Sequence, residues 1–460
     1  MNDNRLDGLN IEEQVDKYNK AVRIEKISLS NYKFFHGNFD LSVNGENLLV
    51  YGENGSGKSS VYNALELLAE KSFTDFEKNK NIFAQNDDVL VEFVFSNGQE
   101  LIISSDLEEM PEHIDFISGL SIFKPMLDYK KLLSVHYASQ FNQDKINLFY
   151  MFRKLLENYP VEQEGQKKIF TEIEDFNEYF RLLEGVLKKK FLKEINKYLE
   201  SYFKADFSID QFEFKTKIDR NTATPTPVIN LALDYKDYSI AKYHIFLNEA
   251  RLTALAISIY MVAIKNLIDS LETECLKILV LDDLLISLDM GNRLKLLEIL
   301  KNEFSDFQIF FFTHDKELYE IYKNKLNWKK YEFYLDDFDD IPGVILKQGI
   351  SEIERAKVFY VQKEYDASAL LLRKGLEKTI KNYLTPKEQL DKNCEELNLS
   401  NLIGRAMSKT NNDAKIILEK LNSDRQHILN PLCHINTKNI YSEELKNAIN
   451  DLEKLNDLLR

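Results

Sequence analysis

Apolar and polar positions change their spacing along the chain, and each spacing predicts a different element. Between residues 22 and 51, short apolar runs alternate with polar residues, which predicts an antiparallel ribbon leading into a buried strand over Leu48–Tyr51. From Lys58 onwards, apolar residues fall on one helical face, which predicts a helix. Two apolar runs within residues 89–104 meet at Asn97-Gly98, a strong hairpin signal.

Further along, a long helical stripe interrupts the strands. Apolar residues recur at every fourth position from Leu183 to Phe203, beside a run of lysines around Lys189. This pattern favours a solvated helix that buries one face over a basic helix that binds nucleic acid. We therefore expect a helical insertion over about residues 149–220, without the sustained heptads of a coiled coil.

The class of predicted element changes once more near the C-terminus. Strands are expected again at Val228 and Lys277, and after Lys301 a strand, a helix and a strand follow in turn. Beyond Gly349 the apolar spacing is helical only. The sequence thus predicts an α/β domain over residues 1–345 and an all-α bundle of four or five helices over residues 346–460.

Composition narrows the class of protein. The chain has 460 residues, of which 44% are hydrophobic and 29% charged, which is typical of a globular protein. No apolar run reaches the ~20 residues that span a bilayer, and the acidic N-terminus lacks the pattern of an export signal. We therefore expect a cytoplasmic protein without membrane segments. The net charge of −15 restricts any contact with nucleic acid to local patches.

Residues 52–59, with the sequence Gly-Glu-Asn-Gly-Ser-Gly-Lys-Ser, fit the phosphate-binding loop (P-loop) pattern G-x-x-x-x-G-K-[ST]. The motif stands between a predicted strand and a predicted helix, which is the context that makes it specific. Backbone N–H groups cradle the phosphates, Lys58 reaches the β- and γ-phosphates, and Ser59 is a ligand for Mg²⁺. ATP and Mg²⁺ are the expected cofactors, and the predicted nucleotide-binding residues of the loop are Gly52, Asn54, Gly55, Gly57, Lys58, Ser59 and Ser60.

Two later strands are predicted to end in polar residues. The buried run 278–281 is followed by Asp282, which can hold Mg²⁺, and Asp283, which can orient the attacking water. The run 309–312 is followed by a Thr-His-Asp sequence, and His314 sits where it can sense a γ-phosphate.

This order of motifs, with Ser-Leu-Asp at residues 287–289, resembles the ABC-type ATPases of the RecF, SMC and OLD group over roughly residues 22–345. The resemblance implies a homodimer of ATPase heads, or a higher oligomer, with two nucleotides sandwiched at the interface. It makes Asp289 a nucleotide-site residue and implies a signature helix supplied by the opposite subunit. Asn248 and Glu249, in Leu-Asn-Glu-Ala-Arg, take the signature position, and Asp283 replaces the usual Glu, so we expect slow turnover.

The resemblance also implies a glutamine loop that couples the Mg²⁺ site to the helical insertion. Gln140 is the candidate for this glutamine and for a metal ligand, with Gln143 second. Phe34 and Phe35 are candidates for stacking on adenine, and a core role for at least one of them is equally consistent with the sequence.

The C-terminal bundle carries a second set of candidate residues. Arg373 and Glu377 are four apart on one predicted helix, and His434 follows Pro431. This set resembles the HEPN-like anticodon nucleases PrrC and RloC, which also join an ABC-type ATPase to a helical RNase. It implies His434 as general acid or base, Arg373 as the group that stabilises phosphorane charge, and Glu377 as the complementary proton carrier. Ordinary surface roles for these residues remain the alternative.

The chain as a whole resembles the ATPase subunits of the bacterial Septu and PARIS anti-phage systems. In those systems the nuclease, of HNH or TOPRIM type, is a separate chain, and the tail would be a docking platform. We therefore interpret the protein as a defence ATPase that switches a partner nuclease. The alternatives are an ATPase fused to its own tRNA-cleaving RNase, and a RecF- or SMC-like ATPase of DNA repair.

Overall fold

The computed structural model describes residues 21–85, 88–136, 146–218, 225–271, 275–284, 290–336, 340–430 and 442–459. The chain divides into two compact units, Met1–Gln348 and Gly349–Arg460. The described strands are β1 Ile24–Ser30, β2 Asn38–Ser42, β3 Leu48–Gly52, β4 Leu90–Phe95, β5 Glu100–Ser104, β6 Met126–Asp128, β7 Pro160–Gln163, β8 Gln166–Ile169, β9 Ser208–Ile218, β10 Pro225–Tyr235, β11 Tyr238–Ile240, β12 Ile278–Asp282, β13 Gln308–Thr313, β14 Lys329–Asp336 and β15 Gly343–Gln348.

Helices cover the sheets of the first unit and form the second. In the first unit the α-helices are Lys58–Leu67, Leu120–Phe123, Tyr129–His136, Phe149–Leu155, Phe176–Val186, Leu192–Tyr198, Tyr243–Phe246, Glu249–Ile268, Met290–Glu303 and Lys316–Lys325. In the second unit they are Glu352–Val361, Tyr365–Tyr383, Leu399–Met407, Asn412–Asp424 and Ser442–Leu458. The predicted class, an α/β part followed by an all-α part, is confirmed.

The central sheet of the first unit has the strand order β15-β14-β3-β13-β12-β6. All neighbouring pairs are parallel except β14 with β15, which is antiparallel. The middle strand β13 is buried at every position, as expected for a parallel strand covered on both faces. Because parallel strands end at the same edge, the carboxyl ends of β3, β12 and β13 meet there.

The described part of the first unit also has two larger antiparallel sheets, and the β7–β8 hairpin forms a third. One has the order β2-β1-β4-β5, and its β4–β5 hairpin turns at Gly98 with φ 82°, so the predicted Asn-Gly hairpin is confirmed. The other has the order β11-β10-β9. Neither β6 nor β15 was predicted from the sequence. Because β15 pairs with β14 as far as Gln348, the first unit extends beyond the predicted end at residue 345.

The predicted helical insertion is not helical throughout. Within residues 149–220 the structure contains the β7–β8 hairpin and the long strand β9. The hairpin turns at Glu164 and Gly165, both with positive φ, and its two strands have only four residues each, too few for a clear alternation. In β9, polar side chains alternate with apolar ones, which is typical of a strand. The prediction missed this strand because it extended the helical spacing of the neighbouring stripe to about residue 220.

The stripe itself shows how the helix accommodates a four-residue repeat. An α-helix turns by about 100° per residue, so five steps of four residues drift by about 200° around the helix. Two π-helical segments, Leu187–Phe191 and Leu199–Phe203, interrupt the α-helix. Each π-helical turn contains one extra residue, which rotates the residues after it back by about 100° around the helix axis. The two π-helical turns together therefore cancel the drift of about 200°. All six stripe residues are consequently buried: Leu183, Leu187, Phe191, Ile195, Leu199 and Phe203.

One helix, Glu249–Ile268, lies in the core of the first unit. Among the described residues it alone is long and apolar enough to cross a membrane, although no such stretch is predicted from the sequence. The apolar window of this helix is 83% buried inside the protein, where its residues join the main hydrophobic cluster. Length and composition alone therefore do not distinguish it from a core helix.

Candidate functional site

The P-loop occupies the turn between β3 and the helix Lys58–Leu67. Gly55 has φ 80° and Gly57 has φ 90°, conformations that L-residues with a Cβ rarely adopt. A Cβ on Gly52 would lie 2.5 Å from the Ser56 Oγ and 2.7 Å from the Lys58 Cγ, so glycine is required there by close approach. The loop thus takes the tight form in which backbone N–H groups converge on an anion.

Lys58 folds back over this loop. Its Nζ donates hydrogen bonds to the carbonyl oxygens of Gly52 at 2.6 Å and Glu53 at 3.0 Å, and the residue is only 6% exposed. Burial lowers the pKa of Lys58, and the nearby Asp283 and Asp282 oppose that change. Around it, Ser59, Asn54 and Gly55 are exposed, whereas Ser60 is buried and accepts a hydrogen bond from the Phe34 N–H.

Asp282 ends β12 in a crowded carboxylate environment. The parallel register of β12 with β6 places Asp282 beside Asp128. Burial raises the pKa of Asp282 to about 7, with a further contribution from Asp283, and Lys58 lowers it. The Oδ1 of Asp282 is buried and has no hydrogen-bond partner. A buried carboxylate oxygen without a donor is suited to a cation, so the residues present fit Mg²⁺.

Asp128 was not predicted as a site residue. It ends the three-residue strand β6 and caps the next helix, because its Oδ1 accepts a hydrogen bond from the Lys131 N–H at 2.7 Å. The only sequence signal was an apolar run ending in an acidic residue, and three residues are too few to show a strand period.

Asp283 and His314 are in direct contact, although they come from different strands. The Asp283 Oδ1 accepts a hydrogen bond from the His314 N–H at 2.9 Å and lies 2.8 Å from the His314 Nδ1. Asp283 has φ 50°, a left-handed turn, and its own N–H donates to the Phe312 carbonyl oxygen. The structure therefore joins the two predicted residues into one pair in which His314 fixes the orientation of the Asp283 carboxylate.

The predicted signature segment begins the core helix Glu249–Ile268. Asn248 is its N-cap, and the Asn248 Oδ1 accepts a hydrogen bond from the Arg251 N–H at 3.0 Å. This leaves the two protons of the amide Nδ2 for another partner. Asn248 and Glu249 are exposed, and Arg251 forms an ion pair with Asp206. Among the described residues, no hydrogen bond or ion pair joins this segment to the P-loop of the same chain.

The two phenylalanines beside the P-loop differ in burial. Phe35 is 3% exposed and stacks on Phe39 with ring centroids 4.2 Å apart, so it belongs to the core. Phe34 is partly exposed and meets Phe35 edge to face. Both rings approach Gly57, where a Cβ would lie 2.9 Å from the Phe35 Cζ and 3.2 Å from the Phe34 Cδ1.

In the C-terminal unit, Arg373 and Glu377 share the helix Tyr365–Tyr383 but do not pair with each other. Glu377 forms an ion pair with Lys381 at 3.1 Å, and Lys381 also contacts Glu396 at 3.1 Å. A Glu four residues before a Lys is the favoured helical orientation, which explains why Glu377 takes this partner. None of the described hydrogen bonds and ion pairs joins Arg373 to Glu377, and whether the two residues face one site stays a prediction.

Four predicted residues cannot be placed in either site. Gln140 and its alternative Gln143, together with Asp289 and His434, lie outside the residues that the structure describes. Their roles remain predictions.

The chain matches no protein-family model and no curated protein. Solved structures with a similar fold include an SMC head bound to the C-terminal winged-helix domain of ScpA, with a TM-score of 0.42 at 11% identity over 71% of this chain and 98% of that one. An SMC head domain from Thermotoga maritima has a TM-score of 0.36 at 11% identity, covering 70% and 98%. A Pyrococcus furiosus SMC head with an extended coiled coil, bound to the C-terminal domain of ScpA, has a TM-score of 0.36 at 11% identity, covering 75% and 100%. These values are low, so the α/β class rests on the strand order and the P-loop themselves.

Proposed function

We propose that the first unit is an ABC-type ATPase that binds ATP with Mg²⁺ and hydrolyses it slowly. The observation that carries this proposal is the buried, unpartnered Oδ1 of Asp282 at the sheet edge where β3 leads into the P-loop. The helix that begins at Lys58 packs against β12, so Ser59 and Asp282 belong to neighbouring elements. Leaving a carboxylate oxygen without a donor costs stability, and a bound cation offsets that cost.

Each residue of the site has a role in this proposal. The P-loop N–H groups and Lys58 bind the phosphates, and Ser59 and Asp282 hold Mg²⁺. When bound, Mg²⁺ neutralises negative charge on the phosphate oxygens. Asp283 orients the attacking water through its Oδ2, because its Oδ1 already accepts a hydrogen bond from the His314 N–H and lies 2.8 Å from the His314 Nδ1. The short Asp side chain supports slow turnover.

A second copy of the chain completes the site in this proposal. The Asn248 Nδ2 offers two protons, as a signature residue that reaches a γ-phosphate across an interface requires. Glu249 lies beside Asn248 in the first helical turn, and its carboxylate has to face away from the nucleotide because it would repel phosphate. We infer a homodimer of heads in which each nucleotide contacts the P-loop of one copy and Asn248 of the other.

Mixing two inactive variants tests this arrangement. Lys58→Ala disables the P-loop half of a site, and Asn248→Arg disables the signature half. In a mixed head-to-tail dimer, one site carries both defects and the other carries neither. ATPase activity should therefore recover partly on mixing. Absence of recovery in heterodimers that demonstrably form would show that each subunit hydrolyses ATP alone.

For the biological role, we propose a nucleotide-gated switch of an anti-phage system that controls a partner nuclease of HNH or TOPRIM type. The support is the resemblance of the motif set, together with the pairing of Glu377 with Lys381, which favours an ordinary surface role for that glutamate. DNA or tRNA as a ligand belongs to the two alternatives. Mass spectrometry of proteins that co-purify with the chain tests the proposal: a nuclease subunit supports it, and a solitary protein that cleaves RNA contradicts it.

A further inference from the structure

A large open cavity lies in the first unit, beside the C-terminal end of the P-loop helix. Its volume is about 960 Å³, near the upper end of the ~300–1,000 Å³ that is usual for ligand cavities. Its walls include the P-loop helix Lys58–Leu67 and the helices Tyr129–His136, Phe149–Leu155 and Glu249–Ile268. None of the described residues assigned to the nucleotide site lines this cavity, so ATP binding does not account for it.

One face of the helix Phe149–Leu155 forms an apolar wall that also carries a positive charge. Four of its residues line the cavity at helical spacings of one and four, which place them on the same side: Tyr150, Met151, Lys154 and Leu155. The Tyr150 side chain is 59% exposed, and Lys154 is exposed as well. The helix therefore presents an aromatic ring, two apolar side chains and an ammonium group to the same space.

The other charges that line the described part of the cavity offset one another. They belong to three acidic and three basic residues: Glu66, Glu70, Glu157, Lys71, Lys124 and Lys131. Two ion pairs, Lys124 with Glu157 and Lys131 with Glu66, account for four of these charges. Lys154 then leaves a positive cavity in a protein whose net charge is −15. A molecule with an apolar body and an anionic group fits this lining best.

Lys131 connects the cavity to the nucleotide site. Its Nζ donates hydrogen bonds to the Glu66 Oε1 and the Tyr62 Oη of the P-loop helix, both at 3.3 Å. Its N–H donates to the Asp128 Oδ1 at 2.7 Å, at the end of β6, and its carbonyl oxygen accepts from the Tyr260 Oη at 3.0 Å. One residue thus joins the P-loop helix, the sheet edge that carries the carboxylates, and the core helix that begins at the predicted signature segment.

We propose that this cavity is an effector site for a small organic anion with an apolar body, and that its occupant changes the affinity for ATP through Lys131. The body packs on Tyr150, Met151 and Leu155, and the anionic group faces Lys154. An occupant that restrains Lys131 acts on three elements of the nucleotide site at once, and the coupling of the two sites is reciprocal. The coupling, unlike the binding itself, rests on the proposed ATP binding.

Two dyes of the same shape test the chemistry of the cavity. Anilinonaphthalene sulfonate is an aromatic anion, and N-phenylnaphthylamine is its uncharged analogue. Fluorescence titration of the full chain measures the affinity for each dye. Lys154→Glu should bind the anionic dye about tenfold more weakly than the wild type and the uncharged dye within about twofold. Arg153→Glu is the matched control, because Arg153 lines a smaller cavity of about 390 Å³ and not this one, and it should change neither affinity.

Calorimetry with and without saturating anionic dye tests the coupling. The dye should change the affinity of the wild type for Mg-ATP at least threefold. Lys131→Met keeps the apolar stem but loses the hydrogen bonds of the ammonium, so the dye should no longer change its ATP affinity. Tyr260→Phe removes only the hydroxyl that contacts the Lys131 carbonyl oxygen and should reduce the change.

The outcomes separate this inference from the proposed function. Equal affinity of the wild type and Lys154→Glu for the anionic dye, or a loss in Arg153→Glu instead, overturns the site. A dye effect on ATP affinity that persists in Lys154→Glu also overturns it, because the dye then acts at the nucleotide site. Dye binding that leaves ATP affinity unchanged overturns the coupling. If the wild type binds the dye but not ATP, the proposed function fails while the cavity remains a ligand site. Unchanged thermal unfolding of the variants excludes a folding defect.

Discussion

The two candidate sites differ in what positions their residues. At the edge of the central sheet, the conformation of the backbone fixes where three site residues lie. Lys58 follows a left-handed glycine, Asp282 ends the parallel strand β12, and His314 follows the parallel strand β13. On the helix Tyr365–Tyr383, Arg373 and Glu377 are related only by a spacing of four residues, and Glu377 takes another partner. A motif that is tied to a backbone conformation therefore predicts an arrangement in space, whereas a helical spacing alone predicts only neighbours on one face.

Replacing Lys58 should break the sheet-edge site most strongly. We expect Lys58→Ala to weaken the binding of Mg-ATP by more than about 100-fold, because the phosphates lose a partly desolvated ammonium. Titration calorimetry measures the change. Lys71→Ala is the matched control, because Lys71 is exposed a few residues beyond the same helix, and it should bind ATP normally. Near-normal ATP affinity in Lys58→Ala would remove the P-loop assignment.

Replacing Asp283 should separate binding from hydrolysis. We expect Asp283→Asn to lower the ATPase rate by about 100-fold while ATP affinity changes by no more than a few-fold, since the variant spares Lys58 and Asp282. Phosphate release and calorimetry measure the two quantities. The control is Asp306→Asn, because Asp306 pairs with Lys277 on the surface and should change neither. If Asp283→Asn hydrolyses ATP at the wild-type rate, another residue orients the water.

Replacing Asp282 should change the free energy of unfolding as well as the ATPase activity. Its pKa is raised from 3.8 to about 7 in the folded protein, chiefly by burial. As pH rises from about 4 to 7, the unfolded chain therefore loses this proton first, and the free energy of unfolding falls. Asn cannot ionise, so Asp282→Asn should be more stable than the wild type by about 2 kcal/mol at pH 8, with a smaller advantage at pH 5.

Urea unfolding at the two pH values, without metal, measures this advantage. Added Mg²⁺ should then stabilise the wild type more than Asp282→Asn, because the variant lacks the negative charge of the carboxylate whose Oδ1 has no partner. Equal stability of the two proteins at both pH values would show that Asp282 is already compensated in the folded state.

The difference between a motif tied to backbone conformation and a spacing on one helix also explains which features could be predicted from the sequence. The P-loop, both strand ends and the Asn-Gly hairpin were predicted because each combines an apolar run with a turn glycine or with polar residues that directly follow the run. Asp128 was missed because β6 has only three residues, and β15 because its strand follows a turn at the edge of the sheet. The contact between Asp283 and His314 depends on which strands are neighbours, and that order is not written in local spacing.

The smallest change in stability is expected in the C-terminal unit, and it tests whether Glu377 is an ordinary surface residue, unlike the residues at the sheet edge. Glu377→Gln removes one charge from a partly exposed pair with Lys381, so the free energy of unfolding should fall by no more than about 0.5 kcal/mol. Urea unfolding measures this change, and Glu453→Gln, which breaks the pair with Lys357 in the same unit, is the matched control.

The same variant distinguishes a docking platform from a fused nuclease. If Glu377 is a surface residue, cells that overproduce the wild type, Glu377→Gln or Arg373→Ala without a partner gene should show the same RNA ends on sequencing. Discrete tRNA cleavage by the wild type that both variants abolish, with ATPase activity intact, would contradict the platform. Because Glu377 is held by Lys381 in the folded protein, such a result would require that ion pair to open before the glutamate could act on a substrate.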